Sequence, residues 1–404
     1  MKIVSWLVAF AACVVAVAVM IAALWLAAPA AGSFRLLVIG AVALGLGVAA
    51  LCGRLLAKRL GVSRRKAIVG FTVGAALAPL GLAVFVAVSP LATAAAPMPD
   101  PRGPHETIAL ATGSKIALWR FPGATAHPRR TPVVFLHGGP GFYAKPRDFA
   151  MGATFRKGGF STLYYDQPGS GASADLALTD YTVARQVADL EALRQHLGAE
   201  KLILWGESWG ASLGAYYARA HPDRVAAMIA QSPGEYPGQP LVDFDMSPTN
   251  ARGGFTPPPR MAVLYLLLEN APQLADQWIT QADHHQFNNS VWIANRSSAG
   301  IRCKGEADTP RQLVSNTGLP PLVRILPTRD DMRILLGNPL PIPALVLRGA
   351  CDFIPETAAK AHVAAYRDAR LETVSGAGHG LFDHETAFMG AVETFIAEKL
   401  SNLP

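Results

Sequence analysis

Acidic side chains are missing from the N-terminal part of this 404-residue chain: residues 1–99 contain no Asp and no Glu. The same stretch holds eight basic residues, Lys2, Arg35, Arg54, Lys58, Arg59, Arg64, Arg65 and Lys66. The other 305 residues carry 28 basic and 29 acidic side chains, so the net charge of +7 arises entirely at the N-terminal end. This excludes reading the basic balance as a nucleic-acid footprint, which requires the charge on a folded domain. Cysteine is scarce, with four in all, and the spacing of Cys303 and Cys351 fits no metal site. No internal repeat is evident.

Long apolar runs, by contrast, are present. Residues 3–32, 36–53 and 67–97 are free of charge, and each reaches the ~18 residues needed to cross a ~30 Å hydrocarbon core. Trp6 and Trp25 flank the first run as interfacial anchors would. Six of the eight basic residues fall between the second and third runs, which retains that loop in the cytoplasm. Three membrane crossings then carry everything after residue 98 to the outer face. The expectation is a multi-pass membrane protein, in contact with lipid through residues 1–97, whose remaining domain is extracytoplasmic. The small residues at 92–97 also resemble a processing site. Cys13 and Cys52 fall in the spans, which leaves Cys303 and Cys351 as the pair open to oxidation, with geometry the sequence does not supply.

Beyond the membrane segment, residues 98–106 read as a proline-rich extended linker. Short apolar strands then alternate with helical patterns, as in a doubly wound, mostly parallel α/β sheet. A hairpin is expected at 107–111 and 115–120, turned by Gly113, with buried strands at 132–136, 161–165, 202–205, 226–230, 344–347 and 370–374. One helical stripe runs through Val183, Val187, Leu190, Leu193 and Leu197. Between 232 and 340 the alternation breaks into a proline-rich insertion with helical stretches, read as a helical cap over the strand ends. The expected domains are therefore 1–97 membrane anchor, 98–106 linker, 107–231 first part of the core, 232–340 cap and 341–404 second part of the core.

Gly206-Glu207-Ser208-Trp209-Gly210 is a G-x-S-x-G string, preceded by an apolar strand and followed by a small-residue helical stretch. That context places a serine on a sharp strand-to-helix turn, where flanking side chains would collide. A serine nucleophile needs an imidazole base oriented by a carboxylate. Asp352 follows the strand at 344–347, and His379, within Gly376-Ala377-Gly378-His379-Gly380, follows the last strand. The order Ser, acid, His suits such a sheet. Asp330 and Asp331 precede the strand rather than follow it, His284 and His285 fall in the insertion with no strand behind them, and His221 sits in a helix-ending His221-Pro222-Asp223. An oxyanion hole is expected from the N–H of Trp209 and from Gly138 or Gly139, in the glycine-rich loop after the strand at 132–136. Pro140 has no N–H to give.

His137-Gly138-Gly139-Pro140-Gly141, Asp166-Gln167-Pro168-Gly169 and Gly206–Gly210 together resemble the proline iminopeptidase group of α/β-hydrolases. The resemblance covers roughly residues 105–400 and implies that Ser208, Asp352 and His379 form a triad. It also implies the release of N-terminal residues from small peptides or amides by an acyl-enzyme route, without metal or organic cofactor. The group commonly has arginine where Pro168 stands. Its exopeptidase members bind the substrate amine through cap carboxylates. Candidates here are Glu235, Glu269 and Glu306, with Asp243 and Asp245 behind them, and no local pattern selects among them. Ester hydrolysis is the second reading, and a catalytically silent, membrane-tethered binding domain is the third. The oligomeric state is not legible.

Overall fold

The structure is a computed structural model that describes residues 2–28, 34–73, 100, 102–234, 337–381 and 383–404, with isolated residues between 260 and 303. Its contacts sort the chain into two compact units: Met1–Thr93 with Pro257–Asp283, and Ala94–Thr256 with His284–Pro404.

In the first unit, α1 (Lys2–Ala27) and α2 (Phe34–Leu60) are apolar helices, and a further helix runs from 64 to 73. Small residues set the spacing between them. A Cβ on Gly45 would lie 3.2 Å from that of Met20, and one on Gly53 would lie 2.8 Å from the backbone of Ala67. Val14, Val15, Ile21, Leu26, Leu36, Ile39, Leu44, Leu51 and Leu55 remain exposed, a surface suited to hydrocarbon rather than water. Among the described residues one helix, Leu36–Lys58, is long and apolar enough to cross a membrane, and Val14–Leu24 is a shorter apolar helix. This corrects the expectation of three such helices. The first apolar run folds as α1, within which Val14–Leu24 is the apolar stretch, and most of the third run lies outside the described residues.

The second unit is built on an eight-stranded sheet in the order β1-β2-β4-β3-β5-β6-β7-β8. Its strands are β1 (Glu106–Ala109), β2 (Lys115–Phe121), β3 (Arg129–Leu136), β4 (Phe160–Tyr165), β5 (Leu202–Glu207), β6 (Val225–Gln231), β7 (Leu340–Gly349) and β8 (Tyr366–Val374). β1 pairs antiparallel with β2, and β2 with β4, while every pairing from β4 onward is parallel. The central strands are apolar on both faces because helices cover both, and β5 is buried at every position. Gly113 turns the opening hairpin at φ +90°, in the left-handed region that glycine enters without cost. Phe155, Phe160, Tyr164, Trp205, Phe388, Val392 and Phe395 belong to one core cluster.

Helix α3 (Val183–His196) starts at Thr182, whose side chain accepts from the Arg185 N–H, and it buries Val183, Leu190 and Leu193 as expected. Val187 and Leu197 are only half-buried. The buried face turns toward Asp189 instead, because that carboxylate accepts from the Ser114 hydroxyl at 2.8–2.9 Å and from Arg185 at 3.1 Å. The expected cap lies almost wholly outside the described residues.

Candidate active site

Parallel strands present their carboxyl ends along one edge, where ligands bind in open α/β sheets. β3 delivers His137 and the glycine loop there, β5 delivers Ser208, β7 Asp352 and β8 His379. Ser208 joins β5 to α4 (Trp209–Ala220) at φ 54°, ψ −117°. A non-glycine residue in that region costs on the order of 1–3 kcal/mol and persists only when its surroundings over-determine it. Here they do. Its N–H donates to the Gln231 carbonyl at 2.8 Å, and its own carbonyl accepts from Gly234 at 3.2 Å. Close approach explains both flanking glycines: a Cβ on Gly206 would lie 2.3 Å from the Gly210 backbone, and one on Gly210 would lie 1.9 Å from the Leu136 oxygen.

His379 Nε2 lies 2.9 Å from Ser208 Oγ, and its Nδ1 lies 2.8 Å from Asp352 Oδ1. An ionised carboxylate only accepts, so Nδ1 carries the proton and Nε2 is left to receive the serine's. Asp352 is nearly buried and also accepts from the Ile354 N–H at 2.9 Å. The imidazole is held at its back. The Gly380 N–H donates to Ser232 Oγ at 2.9 Å, while its carbonyl accepts from Gln231 at 2.9 Å and Arg147 at 3.3 Å. The Phe353 ring packs against the imidazole, with centroids 4.3 Å apart. Beside the acid, Cys351 forms a disulfide with Cys303, the pairing left open above.

The glycine loop lies directly against Ser208, since a Cβ on Gly138 would meet Ser208 Cβ and the Glu207 oxygen at 3.2 Å. The Gly139–Pro140 bond is cis, and Gly139 has φ +123°. Trp209 opens α4, so its N–H is among those with no intrahelical acceptor.

His137, read from sequence only as the start of this loop, proves to be part of its support. The ring is fully buried, Nε2 accepts from the Gln167 N–H at 2.8 Å, and Nδ1 faces the Gly138 carbonyl at 2.9 Å. Burial is the main reason its pKa falls to about 3, which keeps the ring neutral with the proton on Nδ1. The Gln167 side chain donates to the His137 carbonyl at 3.0 Å and accepts from the Trp209 indole at 2.9 Å. One amide thus ties the glycine loop to the residue after Ser208.

Glu207, beside Ser208, is also buried, 2.7 Å from Arg147 and 3.3 Å from Lys145. Burial pushes its carboxyl up, but the two cations outweigh that and hold it well below the usual range. Glu235, Glu269 and Glu306, along with Asp243, Asp245, Asp330, Asp331, His284 and His285, lie outside the described residues.

A serine, an imidazole and a carboxylate in this geometry, on this sheet, define a class. The chain belongs to the alpha/beta hydrolase fold family, whose model matches residues 131–385. More particularly, it is partly homologous to proline iminopeptidases. It is 40% identical over 106 residues to a proline iminopeptidase of Neisseria gonorrhoeae, covering 26% of this chain and 33% of that one. It is 38% identical over 109 residues to a probable proline iminopeptidase of Streptomyces coelicolor, with the same coverage of 26% and 33%. The chain thus spans about a third of the length of these relatives, 33% in each case. Among solved structures, proline iminopeptidase from Mycobacterium smegmatis aligns with a TM-score of 0.47 at 20% identity, over 73% of this chain and 98% of that one. Epoxide hydrolase A from Mycobacterium thermoresistibile aligns with a TM-score of 0.49 at 23% identity, over 73% and 98%.

Proposed function

We propose that the protein is a membrane-anchored serine hydrolase of the proline iminopeptidase type, which removes the N-terminal residue from short peptides or amino-acid amides. The observation that carries this reading is the relay from Ser208 Oγ through His379 to Asp352, with contacts of 2.9 and 2.8 Å. Ser208 attacks the substrate carbonyl while His379 Nε2 takes its proton, and Asp352 stabilises the resulting imidazolium. The oxyanion receives the N–H of Trp209 and that of Gly138 or Gly139. Collapse expels the amine, protonated by His379. Water then attacks the acyl-enzyme with His379 again as base, and the acid leaves.

Peptide specificity rests on the partial homology and can be tested with a substrate panel. An unblocked prolyl β-naphthylamide should be cleaved, and acetylating its amine should reduce kcat/KM by about 100-fold or more, since a buried ion pair to the amine is then lost. Equal cleavage of blocked and free amides, with faster turnover of p-nitrophenyl esters, would make the protein a carboxylesterase instead. In the amide reading Glu235, Glu269 and Glu306 are the first carboxylates to replace with glutamine.

For location, we propose that residues 1–97 anchor the protein in a membrane, with the hydrolase unit outside the cytoplasm. The apolar helix Leu36–Lys58 and the exposed apolar residues of α1 and α2 support the membrane assignment. The Cys303–Cys351 disulfide supports an oxidising compartment. A reporter that works only after export, fused after residue 104, should be active. Activity confined to a reporter that works only in the cytoplasm would overturn the orientation.

A further inference from the structure

The proline-rich linker reads as a solvated spacer, yet its arginine is one of the most enclosed charges in the protein. The Arg102 side chain has no exposed surface. Its Nη1 donates to Asp166 Oδ1 at 2.8 Å, to Oδ2 at 2.9 Å and to the Ala144 carbonyl at 3.0 Å. Nε and Nη2 hold Asp100 at 2.6–2.9 Å. The guanidinium lies 4.2 Å from the centre of the Trp119 ring and 5.0 Å from that of Tyr143.

What Arg102 holds matters more than how tightly. Ala144 closes the loop that begins at His137, and its N–H donates to Asp166 at 3.0 Å. Asp166 also accepts from Ala172 at 2.8 Å. The next residue, Gln167, ties His137 to Trp209. One guanidinium therefore anchors the far end of the glycine loop and the base of the amide that clamps its near end. We infer that Arg102 is a positioning residue for the oxyanion hole, so that the segment joining the membrane anchor to the hydrolase unit is part of the catalytic framework. This rests on the serine-hydrolase reading above. Burial pushes the Asp166 carboxyl up to about 6 even though Arg102 pulls it down, so removing the cation leaves a group poorly able to keep its charge.

The test uses the full-length protein and the substrate that the wild type turns over. Arg102→Ala should lower kcat by about 100-fold, the scale of an ångström-sized misplacement, while KM stays near the wild-type value. Affinity for a boronic acid that mimics the tetrahedral oxyanion should fall in parallel with kcat. Arg102→Lys keeps the charge without the forked donors and should lie between the two. A purely structural arginine predicts a lower melting temperature with normal kcat and boronate affinity per folded enzyme, and that result overturns the inference. Should Arg102→Ala not fold, Arg102→Lys decides by the same two readouts. A wild type that reacts with neither substrates nor fluorophosphonates removes the hydrolase reading itself. A reactive wild type beside unimpaired Arg102 variants removes only this inference.

Discussion

Ser208→Ala is expected to lower kcat by about a millionfold while leaving the fold and the melting temperature nearly unchanged, because triad members act as one unit. The methyl group fits where the hydroxymethyl stood, and what disappears is the atom 2.9 Å from His379 Nε2. His379→Ala should cost about as much, and the double variant little more, since neither half of the proton relay works alone. Asp352→Asn should be milder, about 10⁴-fold, because the amide preserves the shape but favours the wrong imidazole tautomer. Steady-state rates on one substrate, corrected for folded enzyme, give all four values. If the losses from Ser208→Ala and His379→Ala simply multiplied in the double variant, the two residues would not share a step.

Gly210→Ala carries the second large effect, through backbone rather than chemistry. Its new Cβ would stand 1.9 Å from the Leu136 oxygen and 2.9 Å from that of His137. Neither is a flexible side-chain end, so the close of β3 must move, and Gly138 with it. Losing a well-placed oxyanion donor costs about 10²–10³ in kcat, and overpacking adds about 1–3 kcal/mol of destabilisation. Gly214→Ala is the control, on the same helix. Its Cβ would meet the Met228 Cε at 2.7 Å, the end of an adaptable side chain. Thermal melts and kcat should rank wild type above Gly214→Ala, and Gly214→Ala well above Gly210→Ala. Equal behaviour of the two alanine variants would contradict the packing described for the turn.

The sheet edge that brings Ser208, His379 and Asp352 together was legible because each of its parts announces itself locally. Buried parallel strands appear as short apolar runs, and the G-x-S-x-G string sits between such a run and a small-residue helix. The last two strands on the far side were less clear. β7 begins at Leu340, four residues ahead of its unbroken apolar run, because Pro341 and Pro343 interrupt the pattern. β8 reads YRDARLETV, polar along most of its length, since it has a neighbour on one side only, and just its end was expected. Charges inside the unit were the least legible. Arg102 lies among prolines and reads as solvated, and Glu207 has its partners 60 and 62 residues away. Long-range pairing leaves no periodic trace. Gln167 carried a faint signal, as a member of the Asp-Gln-Pro-Gly string, but its clamp needs three distant segments to meet. Glu235, Glu269 and Glu306, proposed for the substrate amine, carried no local signal at all.

The most direct measurement is labelling of the full-length protein with a fluorophosphonate, followed by peptide mass spectrometry. One adduct is expected, on the peptide bearing Ser208, formed quickly by the wild type and about 1,000-fold more slowly by His379→Ala, within the ~10²–10⁴-fold that a positioned general base contributes. No adduct on folded wild-type protein, or labelling at Ser208 that proceeds as fast without the His379 imidazole, would contradict the account.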